Sequence, residues 1–135
     1  MRTPREVSES YWAAECRRDI DGVMAHYHPD ATYQDAGGPL HGQAEIRGFY
    51  EASAREYSGL EVTILREFPG SADASGEAST EASALEVYAV LTDHDGRRFE
   101  IRGLNVMTVR AGKFTSVRCY EDPLLPEPPG GQAAP

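Results

Sequence analysis

The sequence predicts an α+β domain: three N-terminal helices cover one face of a curved, mostly antiparallel sheet, giving a cone-shaped fold. Three observations carry this expectation. Apolar residues recur at helical spacing in three stretches before residue 58, and from Leu60 onward they alternate as in strands. The alternating runs are joined by compact turn sequences, of which Asp93-His94-Asp95-Gly96 is a strong hairpin signal. A curved sheet closed on its open side by helices encloses a pocket suited to a small molecule.

The elements follow in order. Thr3-Pro4-Arg5-Glu6 reads as a capping box with Pro at the first helical position, and Val7, Tyr11 and Ala14 form the apolar stripe of the first helix. Asp19 caps a short second helix with the stripe Ile20, Val23, Met24 and Tyr27, which His28-Pro29 ends. A strand over residues 31–35 and a loop from Ala36 to Gly42 come next. Ile46, Phe49, Tyr50, Ser53 and Tyr57 mark a third helix. Leu60, Val62 and Ile64 open the strands, and residues 69–77 read as a loop. Leu85, Val87, Ala89 and Leu91 alternate, as does the long run from Phe99 to Val109, where Gly103 suggests a bulge that switches the facing pattern. Arg110-Ala111-Gly112-Lys113 turns the chain into a last strand, Phe114 to Glu121. Residues 1–122 are thus expected to form one domain. The segment from Pro123 to Pro135, with five of the nine prolines, is expected to be a disordered tail.

Bulk properties narrow the function classes. A net charge of −9 argues against nucleic acid and anionic membrane surfaces as partners. No window approaches the ~18 apolar residues of a membrane span, and the polar N-terminus lacks the apolar core of a signal peptide, so a cytoplasmic protein is expected. Cys16 and Cys119 form neither a metal-binding spacing nor a disulfide framework and read as small buried residues. The histidines, His26, His28, His41 and His94, have no recognised metal spacing and read as surface or loop residues, with His41 a candidate for the pocket mouth.

One acid stands out. Strand alternation puts Asp35 on the same face as Ala31 and Tyr33, the apolar face of its strand. A carboxylate there is costly unless it is paired, hydrogen-bonded or used in chemistry. It reads either as the cap of the turn that follows or as a functional group in the pocket.

The stretch Tyr11-Trp12-Ala13-Ala14, with Asp19-Ile20-Asp21-Gly22-Val23 and Pro29-Asp30-Ala31-Thr32-Tyr33-Gln34-Asp35, resembles the opening of ketosteroid isomerase and the SnoaL-like polyketide cyclases, members of the NTF2-like superfamily. Residues 42–50 are similar to that family's third-helix opening, and Ala111-Gly112-Lys113 with Val117-Arg118 to its last hairpin. The resemblance covers roughly residues 5–122. It implies a cofactor-free isomerase or cyclase acting on a small hydrophobic carbonyl compound, such as a polyketide or steroid-like ketone, and a homodimer formed through the outer sheet face with Leu104 and Val106.

The family's general-base Asp falls on Asp35, and its oxyanion-hole Tyr on Tyr11. Its second, protonated Asp falls on Asn105, a departure that keeps a neutral hydrogen-bond donor but loses the acid. The substrate-binding residues implied are Tyr33, Phe49, Met107 and Val117, with Cys119 deeper. Tyr50 and Tyr27 are placed to orient Tyr11. No metal or redox cofactor is expected. Glu121, on the alternation of Val117 and Cys119, is either a second pocket carboxylate or a solvated strand end. A paired Asp35 and Glu121 would suit epoxide hydrolysis, although the Asp–Arg–Asp arrangement typical of limonene-type epoxide hydrolases has no clear match around Arg102. A non-catalytic small-molecule-binding or assembly module of the same fold is the competing reading, and an epoxide hydrolase or dehydratase is a further alternative.

Overall fold

Apolar stripes on the helices and alternation in the strands give this chain two surfaces to bury, and they are buried against each other. The computed structural model describes residues 2–70 and 80–124. Helix α1 (Pro4–Cys16) starts at the expected capping box: the Thr3 hydroxyl accepts from the Glu6 amide, and the Glu6 carboxylate accepts from the Thr3 amide. Helix α2 (Ile20–Met24) is capped by the Asp19 carboxylate, which accepts from the Gly22 amide. The remaining elements are strand β1 (Tyr27–Asp35), strand β2 (Gly38–His41), helix α3 (Gly42–Glu56), and strands β3 (Tyr57–Gly70), β4 (Thr80–Asp93), β5 (Arg98–Arg110) and β6 (Lys113–Leu124).

The six strands form one sheet in the order β2-β1-β6-β5-β4-β3. Only the β1–β6 pair is parallel, and every other neighbour is antiparallel. The helices cover one face, as the α+β class requires. The core joins Val7 and Ala14 of α1, Val23 and Met24 of α2 and Ile46 of α3 to Leu85, Met107, Val109, Phe114 and Val117 of the sheet. Among the described residues no helix is long and apolar enough to cross a membrane.

Several expectations change. Helix α2 ends at Met24, and Tyr27 opens β1 rather than closing the helix. Tertiary bonding overrides the helical spacing there: the Phe114 amide donates to the His26 carbonyl at 2.7 Å, tying the start of β1 to the β5–β6 turn. The loop after Asp35 contains strand β2, a short edge strand paired with β1. His26 and His28 are partly buried fasteners: His26 bonds the Gly22 carbonyl and the Ser10 hydroxyl at 2.7 and 2.8 Å, and His28 bonds the Arg110 carbonyl.

Gly103 is not a bulge. Pairing of β5 with β4 and with β6 runs through it without a shift, and Gly103, Asn105, Met107 and Val109 are buried in unbroken alternation. At the next turn, Ala111 and Gly112 take φ of 52° and 77°. Positive φ at both central positions is the hairpin geometry that suits the twist of the flanking strands. Of the expected loop at 69–77, Pro69 and Gly70 belong to β3 and the rest lies outside the described residues. Pro123 and Leu124 extend β6, and the remainder of the expected tail also lies outside them.

Candidate functional site

The inner face of the sheet is laid out in cross-strand rows. Ser83, Met107, Val117 and Tyr33 make one row, from β4 across β5 and β6 to β1. Leu85, Asn105 and Cys119 make the next, and continuing the parallel β1–β6 register adds Asp35 beside Cys119. Val87, Gly103 and Glu121 make the third. Asn105 and Asp35 therefore stand two strand spacings apart, about 10 Å between backbones.

Above these rows lies a cavity of about 510 Å³, within the range of small-molecule sites. Helix α1 contributes Tyr11, Trp12 and Glu15 to its wall, and α3 contributes Phe49, Ala52, Ser53 and Glu56. Tyr33, Asp35, Asn105, Met107, Val117, Cys119 and Glu121 all line it, as do apolar residues of β3, β4 and β5. Gly103 lines it too, and a Cβ there would meet the Tyr120 carbonyl and the Val87 side chain at ordinary contact distances of 3.4 and 3.5 Å.

Tyr27 and Tyr50 do not line the cavity. They stand behind Tyr11, almost fully buried, and make a hydroxyl chain with it. The Tyr11 and Tyr50 hydroxyls are 2.5 Å apart, and those of Tyr50 and Tyr27 are 2.6 Å apart. Burial pushes all three hydroxyls well above the ordinary tyrosine range, so they remain protonated donors. If Tyr27 donates to Tyr50 and Tyr50 to Tyr11, the Tyr11 proton is left for the cavity side, where the Glu15 carboxyl also draws on it. Such chains polarise cooperatively.

Asn105 is only 7% exposed, and among the described residues its side-chain amide has no hydrogen-bond partner. It lines the cavity and is free to bind a ligand there. Asp35 answers to both readings of its position. One oxygen accepts from the Gly37 amide at 2.8 Å, capping the turn, and the other accepts from the Tyr33 hydroxyl at 3.3 Å. Its carboxylate still lines the cavity. Cys119 lies between Asp35 and Asn105, and burial pushes its thiol up to about 12, which keeps it a thiol rather than a nucleophilic thiolate.

Glu121 faces the cavity from β6, where partial burial and then the nearby Asp35 push its carboxyl above the usual range. Glu15 carries the larger perturbation. Burial pushes its carboxyl up to about 7; the Tyr11 hydroxyl and Arg18 oppose the shift, and Glu121 adds to it. The sequence reading passed over Glu15, although it lies one turn beyond Tyr11 on α1 and so follows the same helix face. His41 is exposed at the start of α3 and does not line the cavity. Arg102 is exposed and also off the cavity.

Among the described residues no Lys, Arg or His lines this cavity, and no group of three or more His, Cys, Asp or Glu could hold a metal ion. The polar equipment is therefore three neutral donors or donor relays and a set of carboxylates in an apolar enclosure. That arrangement can hold a carbonyl oxygen and move protons beside it.

The family described as the SnoaL-like domain matches residues 8–117. No curated protein matches the chain by sequence. Among solved structures, the chain is similar to a hypothetical protein with a ketosteroid isomerase-like fold from Catenulispora acidiphila in complex with trimethylamine. The TM-score is 0.71 at 20% identity, over 88% of this chain and 86% of that one. It is similar to an LEH-like epoxide hydrolase of M. tuberculosis, with a TM-score of 0.67 at 23% identity over 86% and 80%. A computationally designed 17-OHP binder gives a TM-score of 0.70 at 22% identity over 84% and 88%. At these identities the likeness is one of fold.

Proposed function

The chain belongs to the SnoaL-like domain family, and we propose that its cavity performs cofactor-independent acid–base chemistry on a small hydrophobic carbonyl compound. The reaction class is isomerisation or aldol-type ring closure. One observation carries the reading: the Tyr27–Tyr50–Tyr11 hydroxyl chain and the unpartnered Asn105 amide open into the same apolar cavity as Asp35. Tyr11 and Asn105 donate to the substrate's carbonyl oxygen. Asp35 removes a proton from a carbon conjugated with that carbonyl, and the charge collects on the oxygen as an enolate. The span of about 10 Å between Asn105 and Asp35 suits a substrate that reaches across two strands. A same-fold designed binder of 17-OHP is in keeping with a polycyclic ketone in such a cavity.

The two contributions are separable. A positioned base is worth about 10²–10⁴-fold and a lost oxyanion donor about 10²–10³-fold. The test is exchange of a ketone's acidic C–H for deuterium, followed by NMR. Asp35→Asn should slow exchange by at least about 100-fold, and an unchanged rate removes Asp35 from the chemistry.

A second reading, a non-catalytic binding module, is favoured by the hydrogen bonds that already occupy both Asp35 oxygens. Saturable ketone binding with no exchange above the buffer rate would establish it. Epoxide hydrolysis draws support from the several cavity carboxylates, but among the described residues no arginine lines the cavity beside them. We also propose a homodimer through the outer sheet face, where Leu104 and Tyr120 are paired neighbours and both exposed. A monomer in sedimentation at working concentration would remove it.

A further inference from the structure

Four carboxyl groups line the cavity: Glu15 on α1, Asp35 on β1, Glu56 at the end of α3 and Glu121 on β6. Among the described residues no cationic side chain lines it with them. Acid–base chemistry on a ketone uses only Asp35. Glu121 and Glu56 are exposed and Glu15 and Asp35 partly so, which places the acids where the cavity opens. Glu15 accepts a hydrogen bond from the Tyr11 hydroxyl. Arg18 acts on Glu15 from outside the lining, but its buried Nε and Nη2 atoms have no hydrogen-bond partner among the described residues. Glu121 in turn presses on Glu15, and Asp35 on Glu121. Like charges gathered round an apolar enclosure repel one another, and a positive group set among them removes that repulsion.

Carboxyls alone would be a solvated rim. The Asn105 amide makes this a ligand site: it is only 7% exposed, it lines the same cavity, and among the described residues it has no partner. The third component is aromatic. Trp12 precedes Glu15 by three residues on α1, so the indole and the carboxyl are neighbours on the helix face that the cavity uses. An aromatic face beside a carboxylate attracts an ammonium group twice over, through the ring quadrupole and through charge. We propose that the cavity takes a cationic amine: its substrate is an apolar ketone that carries a basic nitrogen, held by Glu15, Glu121 and Trp12. The inference rests on the acid–base reading for the ketone and deepens it by assigning the substrate a positive charge.

The sheet register fixes where the two ends of such a molecule go. Asn105 and Cys119 are paired in one row, and Gly103 and Glu121 are paired in the next. Two residues of strand separate the rows, about 7 Å. The carbonyl oxygen lies at Tyr11 and Asn105, and a nitrogen a few bonds away reaches the acidic row. The same charges work against the opposite choice: a ketone bearing a carboxylate meets only like charge among the ionisable groups of the described lining.

The probes are 1,1-dimethyl-4-oxopiperidinium, a cyclic ketone with a fixed positive charge, and 4,4-dimethylcyclohexanone, the same ring with carbon in place of nitrogen. Calorimetric titration reads their binding, and deuterium exchange beside the carbonyl reads chemistry on the same pair. At pH 8, above the value of about 7 to which burial raises Glu15, the cation should bind at least about tenfold tighter than the neutral ring. Glu15→Gln and Glu121→Gln should each cut that preference at least about threefold and leave the neutral ring's affinity within about twofold. Asp122→Asn, on the opposite face of β6 from Glu121, should change neither affinity. Equal affinity for the two rings overturns the proposal. So does a preference that both Gln variants keep, because the net charge of −9 and not the cavity would then attract the cation. Should the variants fail to fold, the wild type decides: the N-methyl protons should show nuclear Overhauser contacts to the indole of Trp12, the single tryptophan, and their absence overturns the proposal. Exchange of the neutral ring with no preference for the cation overturns the amine site and leaves the acid–base reading standing. A preference for the cation with no exchange of either ring removes that reading and leaves the amine site as that of a binding module.

Discussion

Replacing Glu15 by Gln should make the stability of this protein less dependent on pH. The folded chain holds the Glu15 proton up to about pH 7, whereas the ordinary value is 4.5. Below 4.5 the carboxyl is protonated whether the chain is folded or not, and it contributes nothing. As pH rises above 4.5 the unfolded chain releases this proton while the folded chain keeps it, so ionisation favours unfolding. The loss grows until the folded group also ionises and is complete above about 7. Each tenfold difference in proton affinity is about 1.4 kcal/mol, which makes the full loss about 3 kcal/mol. Gln carries none of it. The stability difference between Glu15→Gln and wild type should therefore rise by about 3 kcal/mol between pH 4 and pH 8, in favour of the variant. Urea unfolding at several pH values measures it, and any constant packing cost of the amide cancels in the comparison. A difference that stays flat across this range would refute the claim that Glu15 is buried as an acid.

Three further predictions follow from the geometry. Tyr50→Phe removes both bonds of the hydroxyl chain and leaves the buried Tyr27 hydroxyl unpaired; stability in urea should fall by about 1–3 kcal/mol, and unchanged stability would mean the chain is not formed. Gly103→Val adds bulk at a residue that lines the cavity and should weaken binding of an apolar ketone at least about tenfold, read by calorimetric titration, with a normal circular dichroism spectrum. Ala111→Gly relieves the positive φ of 52° at the β5–β6 turn and should raise stability by up to about 1 kcal/mol, visible as a higher melting temperature; a lower one would count against strain at Ala111.

Much of the architecture was legible because it is written in local patterns. The capping box at Thr3, the stripe through Val7, Tyr11 and Ala14, and the alternation from Leu85 to Leu91 each report the geometry of a single element. The errors fell where a distant contact decides. Tyr27 fits a helical stripe by spacing, but the parallel neighbour β6 draws it into a strand. Gly103 looks like a bulge in isolation; the unbroken pairing on both sides makes it an in-line residue whose missing side chain is part of the cavity.

The same division applies to the site. Sequence alone placed Asp35 on the apolar face of its strand, because alternation needs no partner to be read. It also implied Tyr11 and Asn105 through family resemblance. Only the tertiary structure brought α1, β1, β5 and β6 around one cavity, set Tyr50 and Tyr27 behind Tyr11, and turned Glu15 from a helix-surface acid into an enclosed one. The reason is physical. The face a side chain takes follows from its own backbone, whereas its proton affinity and hydrogen-bond partners follow from the segments folded against it.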